Sequence, residues 1–261
     1  MLTKNERNSI KALRTRDNRH RENRMIVEGV KGVLELLNSS LVTERIYVTS
    51  GTECSTIKSV AKENSVEVCD VSKKDMEIMS SLKSAPGVLA VGEISYSSAD
   101  ELKSALTNPQ PSTIPSLLLL EDLVDPGNVG TLIRTALWFG FAGVVCSPRT
   151  VDVWNSKTIQ SSMGSVFKIP IIVAELRDFI STNDINCAAL DAGGDDIYKT
   201  ETIPNGILIG SESHGVSENI KEIAKEVWSI PGSGKTESLN ASIAGAIACS
   251  EVAKRWSTLS S

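Results

Sequence analysis

Helix-like and strand-like segments alternate through the first 95 residues of the chain. Three helical patterns each precede a short apolar segment: EGVKGVLELLN (28–38) before ERIYVTS (44–50), STIKSVAKEN (55–64) before VEVCDVS (66–72), and KKDMEIMSSL (73–82) before PGVLAVGEI (86–94). This alternation predicts a compact α/β unit of roughly 95 residues.

A polar stretch that contains Pro109, Pro111 and Pro115 follows this unit. Three prolines so close together discourage regular structure and favour a domain boundary. We therefore expect a first domain over residues 1–98, a linker over 99–115 and a second domain over 116–261.

Apolar segments recur in the second domain at the spacing of strands separated by helices. The strand candidates are SLLLLED (116–122), AGVVCS (142–147), KIPIIVA (168–174), NCAALD (186–191), GILIGSE (206–212) and EVWSIP (226–231). Nearly continuous apolar strands that alternate with helices predict a mainly parallel sheet covered on both faces, and so an α/β fold. Ligands of such sheets bind outside the carboxyl ends of the strands, which directs attention to the loops that follow them.

Charge is distributed unevenly along the chain. The net charge is −5, yet residues 1–24 carry eight basic and three acidic side chains, which leaves −10 on the rest. Lys4, Arg7, Lys11 and Arg14 have helical spacing and share one face, next to Ile10 and Leu13. We interpret this basic segment as an arm that binds a polyanion, and the alternative is an ordinary solvated helix face.

Composition narrows the class of protein further. Five cysteines, odd in number and without a CxxC pair, favour reduced thiols in the cytoplasm. Two histidines give little support to a histidine-based metal site. No apolar run approaches the ~18–20 residues of a membrane span, and the basic N-terminus does not resemble a signal peptide.

The first informative loop is LEDLVDPGNVGTLIRTALWFG (120–140). Asp125-Pro126-Gly127-Asn128 has turn chemistry, and Asn128 is a candidate N-cap of the following helix. Asn128 and Arg134 share the polar face of that helix, ~9 Å apart along its axis. An ordinary amphipathic helix with a surface arginine would show the same pattern.

The second loop is GILIGSESHGVSENI (206–220), in which an apolar strand ends at Gly210 and places Glu212 in the loop. Gly210 and Gly215 would allow a ligand to approach the backbone closely. His214 is interpreted as an incidental loop residue.

The third loop lies in WSIPGSGKTESLNASIAGAIACSE (228–251) and only superficially resembles a phosphate-binding loop. The first glycine of such a loop would fall at Ser229, and Pro231 removes an N–H donor. Ser238 or a neighbouring polar residue is a candidate cap of a helix from about Leu239, with Asn240 near its start. The small residues that follow would pack closely against another element of the chain or a second subunit.

Together the three loops resemble the motifs of the SpoU (TrmH) group of SPOUT RNA methyltransferases. The similar segments are DPGNVGTLIRTA (125–136), LIGSESHGVS (208–217) and IPGSGKTESLNASIAGA (230–246). The first half, through VEGVKGVLELL (27–37) and APGVLAVGE (85–93), resembles the ribosomal-protein-like RNA-binding domain that often precedes this catalytic domain.

The resemblance implies methyl transfer from S-adenosylmethionine to a ribose 2′-hydroxyl of rRNA or tRNA by a homodimer with a knotted C-terminal domain and no metal. It places the adenosine against backbone around Gly210, Ile230 and Leu239. Arg134 matches the family's arginine at the reacting hydroxyl. Asn128 and Glu212 would orient Arg134 and the ribose, and Ser238 and Asn240 would hydrogen-bond substrate or cofactor.

Three other functions stay open on the residues alone. The chain could be a non-catalytic RNA-binding protein that retains the methyltransferase scaffold, or a methyltransferase of a base or a small molecule. A nucleotide hydrolase is the third, and the spacing of the glycine-rich loop disfavours it.

Overall fold

The computed structural model describes residues 2–259, which form two compact units. Unit 1 contains the residues through Ser95 together with Asp152–Lys168, and unit 2 contains Tyr96–Val151 and the residues from Ile169 onward. Unit 1 is therefore built from two separate stretches of the sequence.

Ten strands are present in the described residues. They are Arg24–Glu28 (β1), Thr43–Thr49 (β2), Glu67–Val71 (β3), Val88–Glu93 (β4), Ile114–Leu120 (β5), Phe141–Cys146 (β6), Ile171–Val173 (β7), Cys187–Asp196 (β8), Gly206–Ile209 (β9) and Glu226–Ser229 (β10).

Eleven α-helices and one 3-10 turn, Ser165–Phe167, accompany the strands in residues 2–259. The helices are Lys4–Ala12 (α1), Arg16–Glu22 (α2), Val30–Leu37 (α3), Ser55–Glu63 (α4), Lys73–Met79 (α5), Ala99–Thr107 (α6), Pro126–Phe139 (α7), Ser156–Ser162 (α8), Leu176–Thr182 (α9), Glu218–Lys221 (α10) and Ala241–Leu259 (α11). Within this part of the chain, no helix has both the length and the apolar character needed to cross a membrane.

Unit 1 is a four-stranded sheet in the order β1-β4-β2-β3, with helices packed against it. Strand β4 pairs antiparallel with both β1 and β2, and β2 pairs parallel with β3. Strands β2, β3 and β4 lie where the hydrophobic pattern predicts them, whereas β1 was not predicted. The sequence of β1, RMIVE, is separated from α3 by a single residue. The hydrophobic pattern therefore does not distinguish the end of the strand from the start of the helix.

The basic arm is a folded part of unit 1. Ile10 of α1 and Leu13, which directly follows that helix, are buried in the core. Most arm arginines have partners inside the unit: Arg7 binds Asp75 at 2.6 Å, and Arg14 donates to the carbonyl oxygens of Ile78 and Ser80. Residues 4–22 of the basic segment are therefore part of the folded unit, and the binding of a polyanion by this segment stays a prediction.

A buried ion pair connects α2 to the second stretch of unit 1. Arg19 donates from Nε and Nη2 to Oδ2 of Asp152, at 2.8 and 2.5 Å, and both side chains are almost fully buried. Nη1 of Arg19 also donates to the carbonyl oxygens of Leu13 and Arg14, which closes the turn between α1 and α2. The guanidinium is thus satisfied by protein groups on every side.

Unit 2 contains a six-stranded sheet in the order β10-β8-β9-β5-β6-β7, in which every pairing is parallel. This confirms the α/β class and the parallel sheet. Leu208 of β9 packs in a core with Leu102 of α6 and Phe179 of α9. The next residue, Ile209, points to the opposite face, where it meets Gly245 of α11.

The stretch expected to be an irregular linker is partly helical. Residues 99–107 form α6, which begins with a capping box between Ser98 and Glu101 and buries Leu102. The prolines act only beyond the helix, since Pro109 and Pro111 follow its end and Pro115 lies in β5.

Replacement of Arg19 by alanine is expected to destabilise the protein strongly. The substitution leaves the Asp152 carboxylate buried without its guanidinium partner, and breaking such a pair costs about 3–5 kcal/mol. Urea denaturation followed by circular dichroism measures the loss in free energy of unfolding. The matched control is Arg21→Ala, which removes an exposed arginine of the same helix and is expected to change stability by less than about 0.5 kcal/mol. Equal stability of the two variants would contradict the role given to the buried pair.

Candidate active site

Three loops of unit 2 follow parallel strands and therefore lie at the same edge of the sheet. Loop 1 (121–125) follows β5, loop 2 (210–217) follows β9, and loop 3 (230–240) follows β10. This is the edge at which open parallel sheets bind their ligands.

Asp125 in loop 1 caps the N-terminus of α7. Its Oδ1 accepts a hydrogen bond from the backbone N–H of Asn128 at 2.9 Å, and Pro126 occupies the first helical position. A Cβ on Gly127 would approach Asp125 Oδ1 to 2.7 Å, so the cap favours glycine there. The expectation that Asn128 is the cap is wrong, and because Asp125 caps the helix, the Asn128 side chain is available for other contacts.

Asn240 in loop 3 caps the N-terminus of α11. Its Oδ1 accepts hydrogen bonds from the backbone N–H groups of Ser242 and Ile243, at 2.9 and 3.3 Å, and the helix begins at Ala241. Of the candidate caps, Ser238 and its polar neighbours, it is thus Asn240 that caps the helix, which begins slightly later than the expected start at about Leu239. Ser238 is exposed, and its side chain makes no hydrogen bond to residues 2–259.

A directional chain of hydrogen bonds joins the three loops. Asn240 donates from Nδ2 to Asn128 Oδ1 at 3.0 Å, and Asn128 donates from Nδ2 to Glu212 Oε1 at 3.0 Å. The oxygen of Asn240 must face the helix N–H groups, which fixes its amide orientation and consequently that of Asn128. The positive ends of both amides therefore point towards the Glu212 carboxylate.

Loop 2 folds back tightly on itself. A Cβ on Gly210 would come within 2.0 Å of the Gly215 backbone, so no larger residue fits without moving the loop. Gly215 has φ of +66° and donates its N–H to the Ser211 carbonyl oxygen at 2.9 Å. His214 is exposed, and its Nδ1 contacts Ser213 Oγ at 2.7 Å, outside the hydrogen-bond chain of Glu212.

Asp191 in β8 is a further carboxylate at loop 2 that the sequence reasoning missed. It contacts Lys221 Nζ at 2.5 Å and accepts from the Gly193 N–H at 2.9 Å. The lysine, and then the N–H group, lower the pKa of Asp191, which keeps it ionised. A Cβ placed on Gly215 would lie 3.9 Å from Asp191 Oδ2. The signal available was an acidic residue that interrupts an apolar strand.

The remaining candidates are not joined to this chain of hydrogen bonds. Arg134 is exposed on α7 and makes no hydrogen bond or ion pair with residues 2–259. Ile230 is half-buried and Leu239 is exposed. Between them, residues 230–239 form no backbone hydrogen bonds with the described part of the chain, so their N–H and C=O groups are open to a ligand.

A cleft of about 490 Å³ opens elsewhere on the same edge, and it is distinct from the candidate residues. It is lined by residues that follow β5, β6 and β7 and by the start of α10, among them Glu121, Arg149, Glu175 and Ser217. Some of its charged groups pair with each other, such as Asp122 with Arg149 at 2.5 Å. The hydrogen-bond chain joins residues that do not line this cleft, and we therefore take the three hydrogen-bonded loops as the candidate active site.

Comparison with known proteins identifies the class to which this fold and site belong. Residues 115–250 match the model of the SpoU rRNA Methylase family, and residues 5–90 match the MRM3-like substrate binding domain. An uncharacterised tRNA/rRNA methyltransferase of Mycobacterium sp. strain KMS is 30% identical over 242 residues, 88% of this chain and 76% of that protein. Its counterpart in Mycolicibacterium smegmatis is 29% identical over 97% of this chain and 83% of that protein.

Solved structures agree with these relatives. The S-adenosylmethionine-bound rRNA methyltransferase of Sinorhizobium meliloti is 26% identical, has a TM-score of 0.83, and covers 97% of this chain and 96% of its own. The class is thus that of RNA methyltransferases with a parallel α/β domain and a preceding substrate-binding domain. The chain belongs to the SpoU rRNA methylase family, whose model covers more than half of it. The resemblance seen in the three motifs is confirmed.

Replacement of Asn128 by aspartate tests the polarity of the hydrogen-bond chain. The new carboxylate would face Glu212 in place of an N–H donor, so that two like charges share one site. Their repulsion raises the folded-state pKa of the pair above its unfolded value, so the stability that the variant loses relative to the wild type grows as the pH rises through that pKa. We expect a deficit of about 1 kcal/mol at pH 8 that shrinks at pH 5.

Urea denaturation at the two pH values measures this difference. The matched control is Thr135→Ala, whose hydroxyl donates only to the Thr131 carbonyl oxygen on the same helix. A deficit in Asn128→Asp that is independent of pH would show that the Asn128 amide does not face Glu212.

Proposed function

We propose that this chain transfers the methyl group of S-adenosylmethionine to a ribose 2′-hydroxyl of rRNA or tRNA in the cytoplasm. The observation that carries the proposal is the hydrogen-bond chain Asn240–Asn128–Glu212, which unites the three family motifs at one edge of the sheet. The names of the mycobacterial relatives include both kinds of RNA. Incubation with total RNA and the cofactor, then nuclease digestion and nucleoside mass spectrometry, tests the ribose assignment; a methylated base as the product would refute it.

The residues around loops 2 and 3 suit a nucleoside cofactor. The tight turn at the buried Gly210 leaves residues 212–215 of loop 2 exposed, and residues 230–239 leave their backbone N–H and C=O groups unpaired within the described chain. Ile230 and Leu239 supply apolar contact beside those polar groups. We assign Gly210, Ile230 and Leu239 to the adenosine, as in the sequence expectation, and the S. meliloti relative was crystallised with this cofactor.

The task of the protein is then to position and activate the hydroxyl. S-adenosylmethionine supplies a methyl group already activated on a sulfonium, so no metal is needed for the leaving group. Asn128 and Glu212 are held in one orientation and would align the ribose, an effect worth up to ~7–11 kcal/mol in favourable cases. Arg134 stays protonated and would stabilise the developing oxyanion while water or a phosphate takes the proton. Ser238 and Asn240 would contact substrate or cofactor from loop 3.

A homodimer through the α7 and α11 surface is part of the proposal. Trp138 of α7 is 82% exposed. Two apolar residues at the start of α11 are also exposed, namely Leu239 just before the helix and Ile243 in its first turn. A tryptophan this exposed is unusual on a monomer surface and common in interfaces. Arg134 lies one helical turn before Trp138, so a partner that covers the tryptophan would also cover the arginine.

The trefoil knot of the family is likewise proposed for unit 2. Strand β10 lies at the sheet edge beside β8, whereas α11 packs against α7 and β9. Loop 3 connects the edge strand β10 to α11 on the far side of β8. We take this crossing as support for the knot, although knotted chains are rare.

Contact with RNA phosphates would fall to the lysines of the N-terminal helices. The arginines of α1 and α2 are mostly engaged within unit 1, whereas Lys4 and Lys11 are exposed and have no ion-pair partner in the described residues. Phosphate contacts of this kind weaken steeply with salt.

Arg134→Ala is expected to reduce methylation at least about 100-fold, because it removes the cation next to the developing oxyanion. Cofactor affinity should change less than threefold, since the adenosine is assigned to other loops. Single-turnover methylation and isothermal titration calorimetry separate the two effects. Lys199→Ala, which removes an exposed cation of the same unit, is the control and should retain normal turnover. Near-normal methylation by the arginine variant would remove Arg134 from the mechanism.

Trp138→Glu is expected to convert the dimer to a monomer and to abolish methylation, because it places a charge in the apolar interface. Sedimentation velocity reports the mass, and circular dichroism verifies that the fold is retained. Tyr198→Glu changes another exposed aromatic residue of unit 2 and should remain dimeric. A wild-type monomer, or a dimeric Trp138 variant, would exclude this surface as the interface.

A further inference from the structure

Glu121 is a buried carboxylate at the junction of β5 and loop 1. Its backbone N–H donates to the Ile209 carbonyl oxygen at 2.9 Å, which extends the pairing of β5 with β9. Only 7% of the surface of Glu121 is exposed. The carboxylate therefore lies within the sheet edge, between loop 1 and loop 2.

Both oxygens of this carboxylate bind one residue of loop 2. Oε2 accepts from the Ser217 backbone N–H at 2.9 Å, and Oε1 accepts from the Ser217 hydroxyl. No lysine, arginine or histidine forms an ion pair with Glu121 in residues 2–259. A buried carboxylate is costly without a counter-charge, so hydrogen bonds from Ser217 are its main compensation.

Ser217 is the last residue of loop 2, the loop that also carries Glu212. At its start the loop is held by β9, and in its middle Glu212 is held by Asn128. The hydrogen bonds that Ser217 donates to Glu121 fix the far end of the loop, at the residue that precedes α10. The loop is consequently restrained at three points, two of them by residues that border loop 1.

We infer that Glu121 is a positioning residue for the cofactor, because it holds loop 2 in the shape that presents its backbone and Glu212 to the site. This inference rests on the proposed methyltransferase function. Glu121 itself does not touch the substrate in this role; it acts through Ser217. It accounts for a buried charge that neither the three motifs nor the hydrogen-bond chain includes.

The chemistry of the contact provides a conservative variant. Glutamine can accept from the Ser217 N–H through its oxygen and donate through its amide to the Ser217 hydroxyl. That hydroxyl can then turn towards Asn219 Oδ1, which lies 2.5 Å away. Alanine can do neither, so Glu121→Ala loses both contacts while Glu121→Gln keeps them.

Isothermal titration of S-adenosylmethionine into the full-length protein tests the inference. For Glu121→Ala we expect the Kd to rise about 10- to 100-fold, the loss of a hydrogen bond to a charged group. Glu121→Gln should stay within about threefold of the wild type. Glu175→Ala is the matched control, because it removes an exposed carboxylate from the wall of the same cleft. Wild-type affinity in a folded Glu121→Ala variant would overturn the inference, as would equal losses in the alanine and glutamine variants.

Hydrogen exchange without cofactor makes the test independent of the proposed function. In Glu121→Ala the amides of residues 213–217 should exchange at least about tenfold faster, while those of β5 and β9 keep their protection. Unchanged exchange in loop 2 would refute the clamp. A wild-type protein that fails to bind S-adenosylmethionine would refute the proposed function, yet faster exchange of loop 2 would still support the structural role of Glu121.

Discussion

The hydrogen bond from Asn240 to Asn128 is the contact on which the site depends, because it transmits the polarity of a helix terminus across two loops. The first N–H groups of α11 lack partners within the helix and carry its positive end. Asn240 satisfies two of them with its oxygen, so its own N–H donors must point away, towards Asn128. Asn128 repeats the step towards Glu212. A carboxylate suits the end of such a chain of donors, because it accepts hydrogen bonds and carries a negative charge.

This contact forms only because α11 lies unusually close to its neighbours. A Cβ on Gly245 would come within 2.4 Å of both Ile209 of β9 and Leu132 of α7. Because residue 245 is glycine, the helix lies close to β9 and α7. Ala248 and Cys249, which are fully buried, continue the close packing in the next turn. The small residues of α11 are therefore used, at least in part, inside the chain. Close packing of the helix thus sets the position of its N-terminus, which in turn sets the position of Asn240.

The parts of this protein that the sequence predicts are those encoded over short distances. Periodicity predicts the parallel sheet, and turn residues predict the loops at its edge. Residue type alone does not identify the caps, because Asp125 and Asn128, or Ser238 and Asn240, are equally suitable and only the backbone path decides between them. Arg19 and Asp152 are 133 residues apart, so no local pattern could reveal their pairing. The contact of Glu121 is likewise not predictable from a local pattern, since its partner Ser217 lies 96 residues away.

The exposure of Arg134 in a single chain conflicts with its proposed role in catalysis. At 4 Å a unit charge changes the energy of a neighbouring charge by about 1 kcal/mol in water and by about 4 kcal/mol near a protein surface that excludes part of the solvent. An arginine on an open helix face therefore does little for an oxyanion. The nearby Trp138 is also unfavourably placed in a single chain, because its exposed apolar surface gains no stabilisation from burial. The proposed dimer would resolve both conflicts, because a second copy of the chain would cover this face of α7. The proposed dimer and the proposed catalysis then have a common physical cause, because removal of water from the face both stabilises the tryptophan and strengthens the field of the arginine.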